Sequence, residues 1–257
     1  MTPIPIDRPV RVGVSCGTQM QETAFGHGPT VSLNMRYTIA VARAGGLPVV
    51  LVPTEADPTW LVAGIDALVL TGGGDLDPSH YGEEPADEVY GVDPERDRFE
   101  FALLAAAEAR RIPVLGVCRG MQMVNISRGG NLLQHVEDDA LHWQTSPSYH
   151  AVHDVDVAAD SQLAAMVGTE VLPVNSYHHQ AVGRIGSGLR VVATADGLPE
   201  ACESDDGRVI GVQWHPEHMV EHHPRQLALF HGFVELARRH ANSPVIHQHV
   251  TRKASHV

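Results

Sequence analysis

The sequence predicts an α/β fold: a doubly wound, mostly parallel sheet with a smaller antiparallel extension in the C-terminal half. Three observations carry that prediction. Short apolar runs alternate with helix-type segments through the first half of the chain. Two of those runs end in glycine turns, Gly72-Gly73-Gly74 and Gly116 to Gly120. After Gly129-Gly130 the texture changes to short β-type runs separated by Gly, Asp and Pro. Strands joined by successive crossovers imply a sheet covered on both faces.

Taken in order, residues 10–15 form the first strand, and residues 16–30, rich in Gly, Gln and Thr, read as a loop. Ser32 is the expected N-cap of a helix through Ala44, stopped by Gly45-Gly46. Residues 48–52 form the second strand, and a short helix follows over 57–63 with Pro58 in its first turn. The third strand, 67–70, runs into Thr71-Gly-Gly-Gly-Asp75. Residues 77–93 read as a loop or lid. The helix over 96–111 sets Phe99, Leu103, Leu104 and Ala107 at helical spacing. Pro113 opens the fourth strand. Beyond it, residues 152–157, 172–174, 189–194, 201–203 and 209–212 are β-type runs, with a hairpin turn at Asp205-Asp206-Gly207. A helix over 224–239 closes the fold. The arrangement is flavodoxin-like, and ligands of such sheets sit beyond the carboxyl ends of the strands.

A chain of 257 residues with 43% hydrophobic residues and a mean hydropathy of −0.10 has an ample core. No linker-like stretch divides it, so one domain is expected over 1–241, with a polar, disordered tail at 242–257. There are no internal repeats. The net charge of −13 is opposite to what a nucleic-acid surface needs. Three dispersed cysteines, Cys16, Cys118 and Cys202, argue against a disulfide scaffold and for a reducing compartment. No stretch is apolar enough to span a membrane, and the N-terminus lacks signal-peptide character. A cytoplasmic enzyme is expected, and its acidic surface is compatible with a homo-oligomer.

The chemistry centres on Gly116-Val-Cys118-Arg-Gly120. An apolar strand that breaks into a helix within one residue needs small neighbours and lifts the turn's side chain above the helix N-terminus. That terminus lowers a thiol pKa and offers N–H groups to an oxyanion. A buried packing thiol is the bland alternative. A cysteine nucleophile also needs a base and a group to orient it. His215 and Glu217, at the exit of the 209–212 strand in Gly211-Val-Gln-Trp-His-Pro-Glu217, supply both, although a chance surface pair is a fair rival among seventeen histidines.

Together the elbow and the His-Pro-Glu resemble the class I (triad) glutamine amidotransferases. Within that superfamily, Thr71-Gly-Gly-Gly-Asp-Leu-Asp-Pro78, Arg96-Asp-Arg-Phe-Glu-Phe-Ala-Leu-Leu104 and Val174-Asn-Ser-Tyr-His-His-Gln-Ala181 resemble the gamma-glutamyl-gamma-aminobutyrate hydrolases. The resemblance spans residues 10–239. It implies that Cys118 attacks a small-molecule γ-glutamyl amide with His215 as base and Glu217 as its orienting partner. It also implies an oxyanion site formed by the backbone of Gly73 or Gly74 and of Arg119, and no metal or organic cofactor. Gln122, one helical turn past the thiol, is implied to meet the glutamyl amino-acid end.

Asn175, Ser176, His178, His179 and Gln180 form a polar run that suits a pocket wall, with only one of the two adjacent histidines facing ligand. Tyr37, Asp75, Asp77 and Arg96 are further candidates. Asp75 could instead cap the glycine turn, and Arg96 could pair with nearby acids. The spaced histidines His215, His218, His222 and His223 look metal-like, but Pro216 and Pro224 break any continuous helix and no fourth ligand is evident. His247, His249 and His256 make a weak surface binder at most. Two rivals to the hydrolase stand: a glutaminase subunit that feeds ammonia to a separate synthase, and an idle binding protein on the same fold.

Overall fold

The computed structural model describes residues 8–136 and 141–241, so the tail expected at 242–257 lies outside the described residues. The chain runs from β1 (Arg11–Ser15) through a hairpin of β2 (Gly17–Thr23) and β3 (Gly26–Ser32) into α1 (Met35–Arg43). Next come β4 (Leu47–Leu51), α2 (Pro58–Ala63), β5 (Ala67–Leu70), α3 (Pro94–Ala109) and β6 (Val114–Val117). After the elbow follow α4 (Arg119–Ser127), a short β7 (Leu132–Leu133), β8 (His153–Val157) and α5 (Gln162–Val167). The second half continues with β9 (Val171–Val174), β10 (Ala181–Val182), β11 (Leu189–Ala195) and β12 (Leu198–Ser204). It closes on β13 (Val209–Val212) and α6 (Pro224–Ala241).

Nine strands form one sheet in the order β4-β1-β5-β6-β13-β12-β11-β8-β9. From β4 to β13 every neighbour is parallel, and from β13 to β9 every neighbour is antiparallel. The predicted α/β class with its antiparallel extension is therefore the observed one. β13 is the pivot, parallel to β6 on one side and antiparallel to β12 on the other.

The pleat sorts the apolar residues. Ala67 and Val69 join Tyr37, Trp214, Phe230 and Phe233 in one core layer, beneath α1 and α6. Leu68 and Leu70 join Phe99, Leu103, Met121 and Val124 in the other, beneath α3 and α4. Period-2 alternation on a sheet covered on both faces requires that division.

Two local expectations are corrected and a third is narrowed. Residues 16–30 are not a loop: β2 and β3 pair in register from Gly17↔Ser32 to Thr23↔Gly26, almost wholly exposed. A hairpin with no buried face carries no apolar alternation to read. The cap of α1 is Asn34, whose side chain accepts the Arg36 N–H at 3.0 Å, because Ser32 is still paired in β3. Residues 77–93 are the loop expected, with one 3₁₀ turn, but a pinned loop and not a lid: Gln134 accepts the Ala86 N–H at 2.8 Å and donates to Glu83 at 3.0 Å. Leu76 and Pro78 are buried, Asp77 caps a single 3₁₀ turn, and Asp75 and Tyr90 exchange backbone and side-chain hydrogen bonds at 3.1 and 2.8 Å.

Candidate active site

Cys118 occupies the residue between β6 and α4 with φ 52 and ψ −107, a backbone conformation that costs a non-glycine residue energy. The surrounding glycines hold it there. A Cβ on Gly120 would lie 2.3 Å from the Leu70 carbonyl oxygen, and one on Gly116 would lie 2.6 Å from Gly120. The Cys118 N–H donates to Val212 O at 2.8 Å, which ties the turn to β13. The other two thiols are fully buried. Burial raises the Cys16 pKa, and pushes that of Cys202 up to about 12.

From the neighbouring strand, His215 follows β13 by three residues and its Nδ1 meets Glu217 Oε1 at 2.7 Å. With Nδ1 engaged, Nε2 is the nitrogen left for the thiol. Burial alone would lower the imidazole pKa, but Glu217 and Cys118 overcome it and hold His215 well above the ordinary value. Glu217 is itself fully buried. Desolvation pushes its carboxyl up, and the charge and hydrogen bond of His215 outweigh that and leave it below the ordinary value. Tyr37, on α1, accepts the Gly72 N–H at 2.9 Å and sits 3.5 Å from His215 Nδ1. A Cβ on Gly72 would come within 2.6 Å of the imidazole, so the glycine turn and the base are in direct contact.

Beneath the glycine turn lies a buried charge network. Arg119 reaches down from the first turn of α4 to Asp97 and Glu100 on α3, both fully buried. Arg96 donates to Glu100 at 3.2 Å, to Thr71 Oγ1 at 2.9 Å and to the Gly72 carbonyl at 2.9 Å. One helix face therefore braces both the thiol's helix and the turn opposite it. The guanidinium of Arg119 is spent on this brace, while its backbone N–H, at the first position of α4, has no acceptor within the helix. Gly73 packs against Arg96 and Gly74 against Gly91, leaving no room for a side chain at either.

The polar run of residues 175–180 divides into several tasks. Asn175 accepts the His215 N–H at 2.9 Å and donates to its carbonyl at 2.9 Å. His179 meets Asp75 at 3.1 Å and stacks on Tyr90, on the same side as the glycine turn. Ser176 turns away, its hydroxyl donating to His142 O at 3.1 Å, and His178 faces Glu200 at 3.4 Å. Neither lies among the groups around Cys118, because extended backbone sends alternate side chains to opposite sides. Gln180 donates to Gln134 O at 3.1 Å, and its Oε1 is buried without a partner among the described residues. Gln122 is buried behind the thiol, donating to Gln180 O at 3.3 Å and Gln213 Oε1 at 3.4 Å. Asp77 is a turn cap.

Two adjoining clefts of about 230 Å³ each open here. One is lined by Leu33, Tyr37, Gly72 and His215, the other by Gly17, Gly74, Gly91 and Arg119, and Ser32 and Arg96 border both. Residues of the β2–β3 hairpin thus reach the rim. Sequence reasoning missed Gln213, whose amide donates to Cys118 Sγ at 3.5 Å. A polar residue between a buried strand and the Trp-His pair was the available signal. It also missed the brace of Asp97 and Glu100, for which two acids on a helix give no sign of burial. The arrangement has the parts that acyl transfer needs: a thiol on a sharp strand-to-helix turn, an imidazole held by a carboxylate, and backbone donors on either side.

The chain has recognisable relatives. The Peptidase C26 family model matches residues 9–217. The chain is 34% identical over 252 residues to the gamma-glutamyl-gamma-aminobutyrate hydrolase of Escherichia coli O157:H7, covering 91% of this chain and 96% of that one. It is 39% identical over 241 residues to a Mycobacterium tuberculosis protein provisionally named a glutamine amidotransferase, covering 91% and 76%. A Thermoplasma acidophilum structure provisionally described as part of a GMP synthase superposes with a TM-score of 0.63 at 14% identity, covering 91% and 96%, which speaks to the fold alone. The matched family model spans the glycine turn, the elbow and the His-Pro-Glu alike, and the chain belongs to the Peptidase C26, glutamine amidotransferase-like family.

Proposed function

We propose that the protein is a cysteine-dependent hydrolase of γ-glutamyl amides, with a γ-glutamyl-γ-aminobutyrate-like substrate, releasing glutamate and a free amine. The observation that carries this reading is the strained Cys118 set beside His215, itself held by Glu217, with the Gly72–Gly74 turn packed on the imidazole.

In this reading His215 takes the thiol proton as Cys118 Sγ bonds to the γ-carbonyl carbon, and the carbonyl oxygen becomes an oxyanion. Backbone N–H groups of Arg119 and of Gly73 or Gly74 receive that charge, where losing one donor typically costs about 10²–10³ in rate. The C–N bond breaks as His215 returns the proton to the leaving amine. Water then attacks the thioester as His215 takes one of its protons, the C–S bond breaks with that proton returned to Cys118 Sγ, and glutamate departs. Gln122, with Gln180 and His179, forms the wall that meets the glutamyl amino-acid end. A role in polyamine or amine breakdown in the cytoplasm fits such a reaction, and no organic cofactor is called for.

The test is a panel of γ-glutamyl amines incubated with purified protein and with Cys118→Ala, with released glutamate and amine followed by mass spectrometry. Turnover by the native chain alone, abolished in the variant, is expected. A protein silent on every secondary γ-glutamyl amide but hydrolysing glutamine once a synthase is added is the ammonia-delivering glutaminase instead.

A further inference from the structure

Away from the thiol, in the antiparallel half, His142, His153 and Glu200 converge on one buried point, and His178 faces the same carboxylate from beside it. His142 and His178 are each 3% exposed and Glu200 is wholly buried, while His153 presents a buried ring nitrogen. His178 Nε2 lies 3.4 Å and His142 Nδ1 lies 3.6 Å from Glu200 Oε1. The ligand-type atoms of His142, His153 and Glu200 all fall within 4.8 Å of one another. Five atoms here, His142 Nδ1, His153 Nε2, His178 Nε2 and both Glu200 oxygens, are buried with no hydrogen-bond partner among the described residues.

The outer nitrogens explain which way the lone pairs point. His178 Nδ1 is 3.0 Å from Gln180 O, and His153 Nδ1 is 3.3 Å from Asp154 O, so each ring gives its N–H to a backbone carbonyl. The inward Nε2 atoms are then acceptors, facing a carboxylate that is also only an acceptor. Such a set needs a positive partner, a bound metal ion or a proton on an imidazole, because a carboxylate left unpaired in the interior is strongly unfavourable. An imidazole whose second nitrogen is fixed by a backbone carbonyl is the usual posture of a metal ligand. Ligand atoms at about 2.0–2.1 Å from a tetrahedral ion lie roughly 3.4 Å apart, and those of His142, His153 and Glu200 already lie within 4.8 Å of one another.

We propose that His142, His153 and Glu200 bind one structural divalent transition-metal ion, of the zinc class, with His178 packed beside the carboxylate. Two imidazoles and one carboxylate suit zinc over the all-oxygen preference of calcium or magnesium. The ion's task is mechanical. The His142 carbonyl accepts from the His178 N–H at 2.8 Å and from Ser176 Oγ, and Gln144 Oε1 accepts the Ser176 N–H at 2.7 Å. This strap is continuous with Asn175, which grips the base, and with His179 and Gln180 in the pocket wall. The inference stands apart from the substrate reading.

The test uses the full-length, untagged chain purified without chelators. Elemental analysis is expected to return about one zinc per chain, unchanged in Cys118→Ala. Glu200→Gln and His142→Gln are expected to lose it. His218→Gln, and a chain with His247, His249 and His256 all changed to Ala, are expected to keep it. Should the site variants fail to fold, native protein stripped by chelator and reloaded with cobalt supplies the answer, through the intense visible absorption of a four-coordinate ion and a recovered melting temperature. Metal-free native protein that shows neither response overturns the proposal, leaving a proton shared between His178 and Glu200. Metal that survives Glu200→Gln, or leaves with His218→Gln, overturns it as well.

Discussion

Asn175 holds His215 by the backbone, its side-chain oxygen accepting the N–H and its amide donating to the carbonyl, both at 2.9 Å. The ring of His215 is thus placed by a residue forty positions earlier in the chain. The Asn175 amide also donates to Ser148 O at 2.7 Å, so its own orientation is fixed.

Removing that grip frees the base without removing it. Asn175→Ala is expected to slow alkylation of Cys118 by iodoacetamide, and turnover of a γ-glutamyl amide, by about 10²-fold, the usual consequence of a misplaced catalytic group. The loss should fall on kcat with KM little changed. Equal losses in melting temperature and rate would mark Asn175 as a folding residue only.

The elbow leaves no space for a methyl group. Gly120→Ala presses a Cβ against the Leu70 carbonyl at 2.3 Å, backbone against backbone, and is expected to cost about 1–3 kcal/mol or more in urea unfolding. Gly28→Ala, on the exposed hairpin with nothing within 4 Å, is expected to stay within about 0.5 kcal/mol.

Arg119→Met strands two carboxylates, Asp97 and Glu100, in the interior. A loss of about 3–5 kcal/mol is expected in the same assay, the range for breaking a buried ion pair by removing one partner. An unchanged unfolding midpoint would mean that Arg96, beside Glu100, and His80, whose Nε2 lies 3.3 Å from Asp97, suffice for the two acids.

The pair of His215 and Glu217 gives stability its own pH window. Glu217 is held below its ordinary 4.5, so its contribution is full above 4.5 and disappears as pH falls through the lowered value. His215 is held above its ordinary 6.5, so its contribution is full below 6.5 and disappears as pH rises through the raised value. Both are complete only between about 4.5 and 6.5. The melting-temperature difference between native protein and Glu217→Gln is expected to peak there and shrink on either side. A difference that stays flat from well below pH 4.5 to well above pH 6.5 rules the coupling out.

The parallel half was legible because its strands are short, doubly buried runs that end in glycine. The Cys118 turn and the His215–Glu217 pair were legible because each sits in a contiguous motif, Gly116–Gly120 and Gln213–Glu217. The β2–β3 hairpin was not. Its ladder is held by backbone pairing, with Gly28 and Pro29 inside a strand and no core face to set a period. Charge on a helix face is usually solvated, yet Asp97 and Glu100 of α3 point inward to meet Arg119, a partner that only the fold supplies. The set of His142, His153 and Glu200 could not be read from spacing. Its members come from separate segments, and the fold alone brings them within reach.

The pairing of β6 with β13 runs Val114↔Val209 to Val117↔Val212, and each strand carries one half of the thiol–imidazole pair just beyond its last rung. A slip of one residue between these two strands would turn every side chain of β13 to the opposite core layer and move His215 by a full residue. The alkylation rate of Cys118 during refolding is therefore expected to follow the closing of the two halves of the sheet in the right alignment.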